Sequence, residues 1–233
     1  MIEGIKDLIS LGGQTLERNF VQFFAVLARP RLFIKSIDHD SSDALIGAAT
    51  FAVFVSIVNL VIMLPVFLLM HIRADTSAYI LVDTVITFIF WFLFGTIYHL
   101  CAKVVGGHGS YRSSMVAYLY LTAFNVISGV LSVPASLTVI PWVMQSTDSP
   151  SLEQWDSLGR SQFQSPATAI CMLLSSATVI YLWICRIGAF MIVHRVGLAK
   201  GLSIGVLGGG LSMVVLVTVE KPVVQLLWRA FSS

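Results

Sequence analysis

The side chains best suited to chemistry in this chain are histidines and cysteines near the ends of apolar runs. They are His99, Cys101, His108, Cys185 and His194. Imidazole and thiolate groups are preferred ligands of zinc and other soft metals, and the fold could bring these residues together. No two of them show a Cys-x-x-Cys or a helical His-x-x-x-His spacing, so we predict no metal site and no cofactor. The sequence also has no nucleophile, general base and orienting group at a spacing that would bring them together for catalysis. We therefore expect a protein that is not an enzyme.

A glycine-rich stretch is the second candidate site. It reads Gly106-Gly107-His108-Gly109-Ser110-Tyr111-Arg112. Gly106, Gly107 and Gly109 would let the backbone approach a phosphate at the start of the next helix, with Arg112 close by. The Gly-Lys-Ser/Thr ending of a P-loop is missing. A tight turn between two helices, capped by Ser110, accounts for the same residues and is the preferred interpretation.

An acidic group near an apolar run is the third candidate. Asp83 lies at the edge of the second run, and an acid inside a bilayer is costly unless it is paired or used. Pro65 and Pro134 would each remove a backbone hydrogen bond and kink the first and third runs. Asp83 is therefore the candidate ion or proton site of a small transporter or channel.

The composition decides which kind of fold must position these groups. Of the 233 residues, 57% are hydrophobic and 11% are charged, and the mean hydropathy is +0.88. A soluble domain carries about 25% charged residues, so most of this chain must face lipid. This excludes a soluble enzyme and a nucleic-acid-binding protein.

Five uncharged runs approach or exceed the ~20 residues that a membrane-spanning helix needs. We expect an all-α integral membrane protein with five transmembrane helices. Residues 1–43 would form a cytoplasmic amphipathic segment, 44–219 the membrane domain and 220–233 an exterior carboxyl-terminal tail. The spans are predicted at about 44–70, 84–102, 114–140, 166–190 and 201–219.

The distribution of cations predicts the orientation. Ten of the fourteen Lys and Arg residues flank the spans on one side. Basic loops stay in the cytoplasm, so the amino terminus is expected inside and the carboxyl terminus outside.

The segment before the first span has a helical stripe of apolar residues followed by basic ones. The stripe contains Phe20, Phe23 and Phe24, and the cations are Arg29, Arg31 and Lys35. Such an amphipathic interfacial helix would place its rings in the membrane and its cations toward anionic lipid. The alternative, which the periodicity favours, is an anchor packed on the spans.

Two further stretches are typical of helix starts and helix contacts. The run from Asp38 to Asp43, with Ser41 and Ser42, predicts a capped start for the first span, where His39 is expected to be solvated. In the last span Gly201, Gly205 and Gly209 recur every four residues, which lets another helix approach closely. Packing inside the bundle is the preferred interpretation, and a homodimer is the alternative.

The order of these elements resembles the Yip (Ypt-interacting protein) domain family in its bacterial form. The resemblance rests on Arg29-Pro30, on the stretch Gly106 to Arg112 that runs into Ala117-Tyr118, and on Gly201-Leu202-Ser203. It covers the chain from Arg29 to Val219. It implies five spans, a cytoplasmic amino terminus and no established catalytic site. Eukaryotic members act in vesicle trafficking, bind small GTPases and associate with one another, but their Asp-Leu-Tyr-Gly-Pro element is missing here.

The leading hypothesis is a non-enzymatic, multi-pass protein of the bacterial inner membrane that acts as an interaction or membrane-organising module. The expected partners are membrane lipid and either a second copy or another membrane protein, with no nucleic acid. The amphipathic segment and the turn with Gly106, Gly107, Gly109 and Arg112 are the elements expected to contact lipid or partner. The alternative is the small transporter or channel that uses Asp83 and the kinked first and third helices.

Overall fold

The chain folds into helices because a backbone in lipid must satisfy its own hydrogen bonds. The computed structural model describes residues 2–69, 76–143, 165–220, 222, 223 and 226. Within these ranges, only the backbone is described for residues 2–11, 67–69, 76–81, 83 and 138–143. These residues contain no strand. The elements are α1 (Ile2–Ala28), α2 (Pro30–Ser36), α3 (Ser42–Leu69), α4 (Thr76–Val104), α5 (Tyr111–Tyr120), α6 (Ala123–Val143), α7 (Pro166–His194), α8 (Leu198–Val215) and a π-helical turn (Leu216–Glu220).

Five segments are long and apolar enough to cross a membrane, which confirms the predicted fold class. They are Ser42–Val66, Thr84–Val104, Tyr111–Leu137, Pro166–His194 and Leu198–Glu220. Their outward faces carry exposed aliphatic side chains, for example Leu173 (66% exposed) and Val206 (61% exposed). Such surfaces need lipid around them.

The third span is built from two helices, and the break does not lie at Pro134, where the sequence predicts a kink. It is interrupted at Leu121 and Thr122, between α5 and α6. The Thr122 hydroxyl donates to the carbonyl oxygen of Leu119 (2.6 Å), and the Asn125 amide donates to the carbonyl oxygen of Thr122 (2.8 Å). A threonine hydroxyl that takes a backbone carbonyl competes with the helix, and the bonds here close tighter 3₁₀-type turns. Pro134, the predicted kink, lies inside α6.

Helix α5 lies at the centre of the bundle. All its residues from Ser113 to Tyr120 are buried, and it packs against α3, α4 and α7. Helix α6 continues between α3 and α7, while α8 packs against α4 and α7. Three connecting segments meet at one end of the bundle. They are residues 38–41 before α3, residues 105–110 between α4 and α5, and residues 195–197 after α7. We call this the loop end.

Helices α1 and α2 are held against the bundle by aromatic contacts. The rings of Phe20 and Phe23 lie 5.1 and 6.3 Å from that of Phe54 in α3, and Phe33 of α2 lies 4.9 Å from Tyr120. Val26 and Ile34 are buried. The segment before the first span thus packs on the spans through one face.

The glycine ridge of α8 faces α7. A Cβ on Gly201 would collide with Met191, and one on Gly205 would collide with Ile187. The indole Nε1 of Trp183 donates to the carbonyl oxygen of Gly205 (3.0 Å), and Gly209 lies beside the same indole. The close approach that small residues allow is therefore used between α7 and α8 of the same chain.

Candidate functional site

The turn between α4 and α5 is formed by the glycine-rich stretch. Gly106 adopts a positive φ of 83°, and the Gly107 amide donates to the carbonyl oxygen of Ala102 (2.8 Å). The Ser110 hydroxyl accepts from the amide of Ser113 (3.1 Å), which confirms the predicted cap of α5. A left-handed residue after a helix is the usual place for glycine, since other side chains are strained there.

This turn is packed against the end of α7. The amide of His108 donates to the carbonyl oxygen of His194 (3.1 Å), and the amide of Gly109 donates to Nδ1 of the His194 ring (3.1 Å). A Cβ on Gly107 would lie 2.7 Å from that Nδ1, and one on Gly109 would lie 2.7 Å from the carbonyl oxygen of Val193. Gly107 and Gly109 are buried, whereas Gly106 is exposed. The backbone amides of His108 and Gly109 are thus engaged by α7, whereas that of Gly107 is engaged by α4.

Two of the five candidate metal ligands meet at this point through a serine. Oγ of Ser114 lies 2.8 Å from Nε2 of His194 and 2.8 Å from Nδ1 of His99. Because Nδ1 of His194 accepts a hydrogen bond from Gly109, a neutral His194 carries its proton on Nε2 and donates it to Ser114. The Ser114 hydroxyl also donates to the carbonyl oxygen of Ser110 (3.0 Å). Both rings are thereby oriented by protein groups.

The arrangement does not form a metal site within the described part of the chain, where no three His, Cys, Asp or Glu side chains cluster. The rings of His99 and His194 lie 5.5 Å apart, with Ser114 between them. The chemistry that this geometry supports is a buried hydrogen-bond relay that joins α4, α5 and α7.

Asp40 anchors the segment before α3 to the same turn. Its Oδ1 accepts hydrogen bonds from the hydroxyls of Ser110 (2.7 Å) and Ser113 (2.9 Å), and its carbonyl oxygen accepts from Arg112 (2.7 Å). The two hydroxyl bonds hold the pKa of the Asp40 carboxyl below its ordinary value. Arg112, a candidate for lipid or partner contact, is thus bonded within the chain.

The start of α3 differs in part from the prediction. Ser41 supplies the cap, since its hydroxyl accepts from the amides of Asp43 (3.1 Å) and Ala44 (3.4 Å). His39 is half-buried rather than solvated, and its Nε2 lies 2.5 Å from the carbonyl oxygen of Ile34. Burial lowers the pKa of His39 from its ordinary value, because the charged ring loses water.

Most of the predicted interfacial residues of α1 and α2 are exposed. Phe24 is 63% exposed and Leu32 58%, beside the exposed cations Arg29, Arg31 and Lys35. Phe20 is less exposed and Phe23 is partly buried against the core. We call Val21, Phe24, Arg29, Arg31, Leu32 and Lys35 the α1–α2 surface. It is apolar and basic on the side that faces away from the spans.

The side chain of Asp83, the predicted ion site, lies outside the described residues, so the transporter alternative stays a prediction.

The sequence analysis does not include Arg186 among the candidate functional residues. This cation lies within α7, eight residues before its last residue His194. Its place inside a predicted span (166–190) was a usable signal, because a charge inside a span is rare and functional.

Comparison with known proteins identifies the family. The model of the Yip1 domain matches residues 24–219. No curated protein and no solved structure matches the chain. The matched residues begin within α1 and include the turn between α4 and α5, all five spans and the glycine ridge. This chain is therefore a member of the Yip1 domain family, with several apolar helices that place it in a membrane.

Proposed function

We propose that this protein is a non-enzymatic, membrane-organising module that binds anionic lipid through its α1–α2 surface at the cytoplasmic face of the bacterial inner membrane. The observation that carries the proposal is the exposure of Phe24 and Leu32 next to Arg29, Arg31 and Lys35. Apolar side chains at the headgroup level bury into the acyl boundary, while neighbouring cations meet anionic headgroups.

The packing of α1 and α2 supports a fixed surface rather than a free tail. Phe20 and Phe23 contact Phe54, and Phe33 contacts Tyr120, so the inner face of the helix pair is committed to the bundle. An element held by one face presents its other face without having to fold on binding. Less ordering entropy is then lost when lipid binds.

The cytoplasmic orientation is part of the proposal and rests on charge. Ten of the fourteen Lys and Arg residues are predicted to flank the spans on the side of α1, α2 and the loop end, which favours the side where basic loops are retained. The anionic lipids of a cytoplasmic leaflet attract each nearby cation by about 1 kcal/mol. The three cations would together contribute at most ~3 kcal/mol of binding free energy before salt screening. At ~1.4 kcal/mol per tenfold change in affinity, this corresponds to roughly a hundredfold preference for anionic lipid.

The test is the lipid preference of the protein in a bilayer. The protein is reconstituted in phosphatidylcholine, and electron paramagnetic resonance measures the fraction of spin-labelled phosphatidylglycerol or phosphatidylcholine immobilised on its surface. We expect a preference for phosphatidylglycerol that falls severalfold in the triple variant Arg29→Gln/Arg31→Gln/Lys35→Gln and weakens at high salt. The matched control is Arg195→Gln/Lys200→Gln, which removes exposed cations outside the α1–α2 surface. An equal loss in both variants would contradict the proposal.

A further inference from the structure

A cavity inside the membrane domain is separate from the α1–α2 surface. It has a volume of about 640 Å³ and lies between α4, α5, α6, α7 and α8, with the π-helical turn in its wall. Most of its lining is apolar or aromatic. The polar side chains in the wall are Tyr98, Tyr118, Asn125, Arg186, Ser212 and Glu220. A volume of this size falls within the ~300–1,000 Å³ of small-molecule sites, which are also mostly apolar with few polar groups.

Arg186 is the cation of this cavity. Its guanidinium carbon lies 4.7 Å from the ring centre of Tyr118 and 5.9 Å from that of Tyr98. The Nε of Arg186 is buried and has no hydrogen-bond partner among the described residues. The hydroxyl oxygen of Ser212 in the same wall is likewise buried and has no partner among those residues. A guanidinium stacked on a ring keeps its in-plane N–H groups available, and these match a carboxylate or a phosphate.

The backbone around the cavity is irregular at two places. Asn125 follows the interruption at Leu121 and Thr122, and Leu216 and Glu220 belong to the π-helical turn. Interrupted spans are tolerated at membrane depth where they line a cavity, and they mark binding sites in membrane proteins. Single π-helical turns are likewise frequent at functional sites.

The cavity opens toward lipid. Val179, Ile180, Val206 and Met213 belong to its wall and are also 54–63% exposed on the outside of the bundle. Gly210, also in the wall, has no atom within 4 Å of a Cβ placed on it. A ligand can thus enter sideways from the hydrocarbon phase, between α7 and α8.

We propose that this cavity binds an amphiphile from the membrane, with an anionic carboxylate or phosphate group against Arg186 and an alkyl chain along the apolar wall. The anion would take the unpartnered Nε–H of the guanidinium and receive a hydrogen bond from Ser212. An alkyl chain suits a wall of aromatic and aliphatic side chains that continues into the lipid-facing surface. The carboxylate of a fatty acid and the phosphate of a lysophospholipid share this chemistry.

The experiment uses the tryptophans of the cavity, Trp91 and Trp183, as reporters. The full-length protein in mild detergent is titrated with dibromostearate, with a dibrominated lysophosphatidic acid and with neutral dibromostearyl alcohol, at alkaline pH where both acids are ionised. Bromine quenches indole fluorescence on contact. We expect saturable quenching by one or both anions at concentrations at least tenfold below that needed for the alcohol. Whichever anion binds more tightly identifies the source of the headgroup.

Three variants make the outcome decisive. Arg186→Gln should raise the half-quenching concentration of the anions at least tenfold and leave that of the alcohol unchanged, whereas the exposed Arg195→Gln should change neither. Gly210→Leu puts a bulky side chain at the mouth of the cavity, where an added Cβ meets no atom within 4 Å, and should weaken binding of all three probes. Glu220→Gln should leave anion binding unchanged or make it tighter, because it removes a negative charge from the wall. Half-quenching concentrations unaffected by Arg186→Gln, or anion binding weakened by Glu220→Gln, would overturn the proposal.

Discussion

The contact between the glycine turn and α7 makes a quantitative prediction for Gly107→Ala. The added Cβ would lie 2.7 Å from Nδ1 of His194 and 2.8 Å from the carbonyl oxygen of Ala102. The carbonyl cannot retreat without losing its hydrogen bond from the Gly107 amide (2.8 Å), so the turn must move away from α7.

The expected loss of stability follows from two contributions. Overpacking a filled site costs about 1–3 kcal/mol. Displacing the Gly109 amide from His194 loses a buried hydrogen bond, about 1 kcal/mol more. The sum is about 2–4 kcal/mol of unfolding free energy. For a chain of this length it corresponds to a fall in Tm of roughly 5–15 °C.

The assay is thermal unfolding of the purified protein in detergent, followed by intrinsic fluorescence. Gly188→Ala is the matched control, because Gly188 lies within α7 with nothing within 4 Å of the added Cβ. Alanine favours a helix over glycine by up to ~1 kcal/mol, so the control should keep or raise Tm. A Gly107→Ala protein as stable as the unsubstituted one would contradict the close packing of Gly107 against His194 and Ala102.

Three further predictions concern other contacts. Ser114→Ala removes the link between His99 and His194 and leaves buried ring nitrogens unpaired. The unfolding free energy should therefore fall by about 1–3 kcal/mol in a denaturant titration. The control Ser203→Ala, which replaces an exposed helix serine, should leave the unfolding free energy unchanged. The lowered pKa of His39 in the folded protein means that the unfolded chain binds more protons, so the free energy of unfolding should fall as pH drops below ~6.5. His39→Gln should reduce this pH dependence. Identical pH profiles of stability for the two proteins would contradict the burial of His39. A cysteine at exposed Ser36 should react with an impermeant maleimide only after cells are opened, and labelling of intact cells would reverse the proposed orientation.

The sequence was sufficient for the features that depend on local physics. Five long uncharged runs predict five spans, because hydrocarbon admits few charges over that length. The Ser110 cap was predictable because its partner is the amide of Ser113, three residues along the chain.

The remaining features depend on residues that are distant in sequence. The bond between Asp40 and Ser110 joins positions seventy residues apart, and the one between Gly109 and His194 joins positions eighty-five apart. The interruption at Leu121 and Thr122 is local, but no proline or glycine marks it, and the Thr122 hydroxyl that bonds there can adopt other conformations. Arg186 lies inside the predicted fourth span, but its contacts with Tyr98 and Tyr118 depend on how α4, α5 and α7 pack.

The most direct test of the proposed function is the membrane depth of the α1–α2 surface. A spin label on Phe24→Cys, in nanodiscs that contain phosphatidylglycerol, is compared with one on Lys35→Cys for collision with oxygen, which concentrates in hydrocarbon, and with a water-soluble nickel complex. We expect the label at position 24 to collide mainly with oxygen and the label at position 35 with the nickel complex. Equal exposure of both labels to the nickel complex would contradict this expectation.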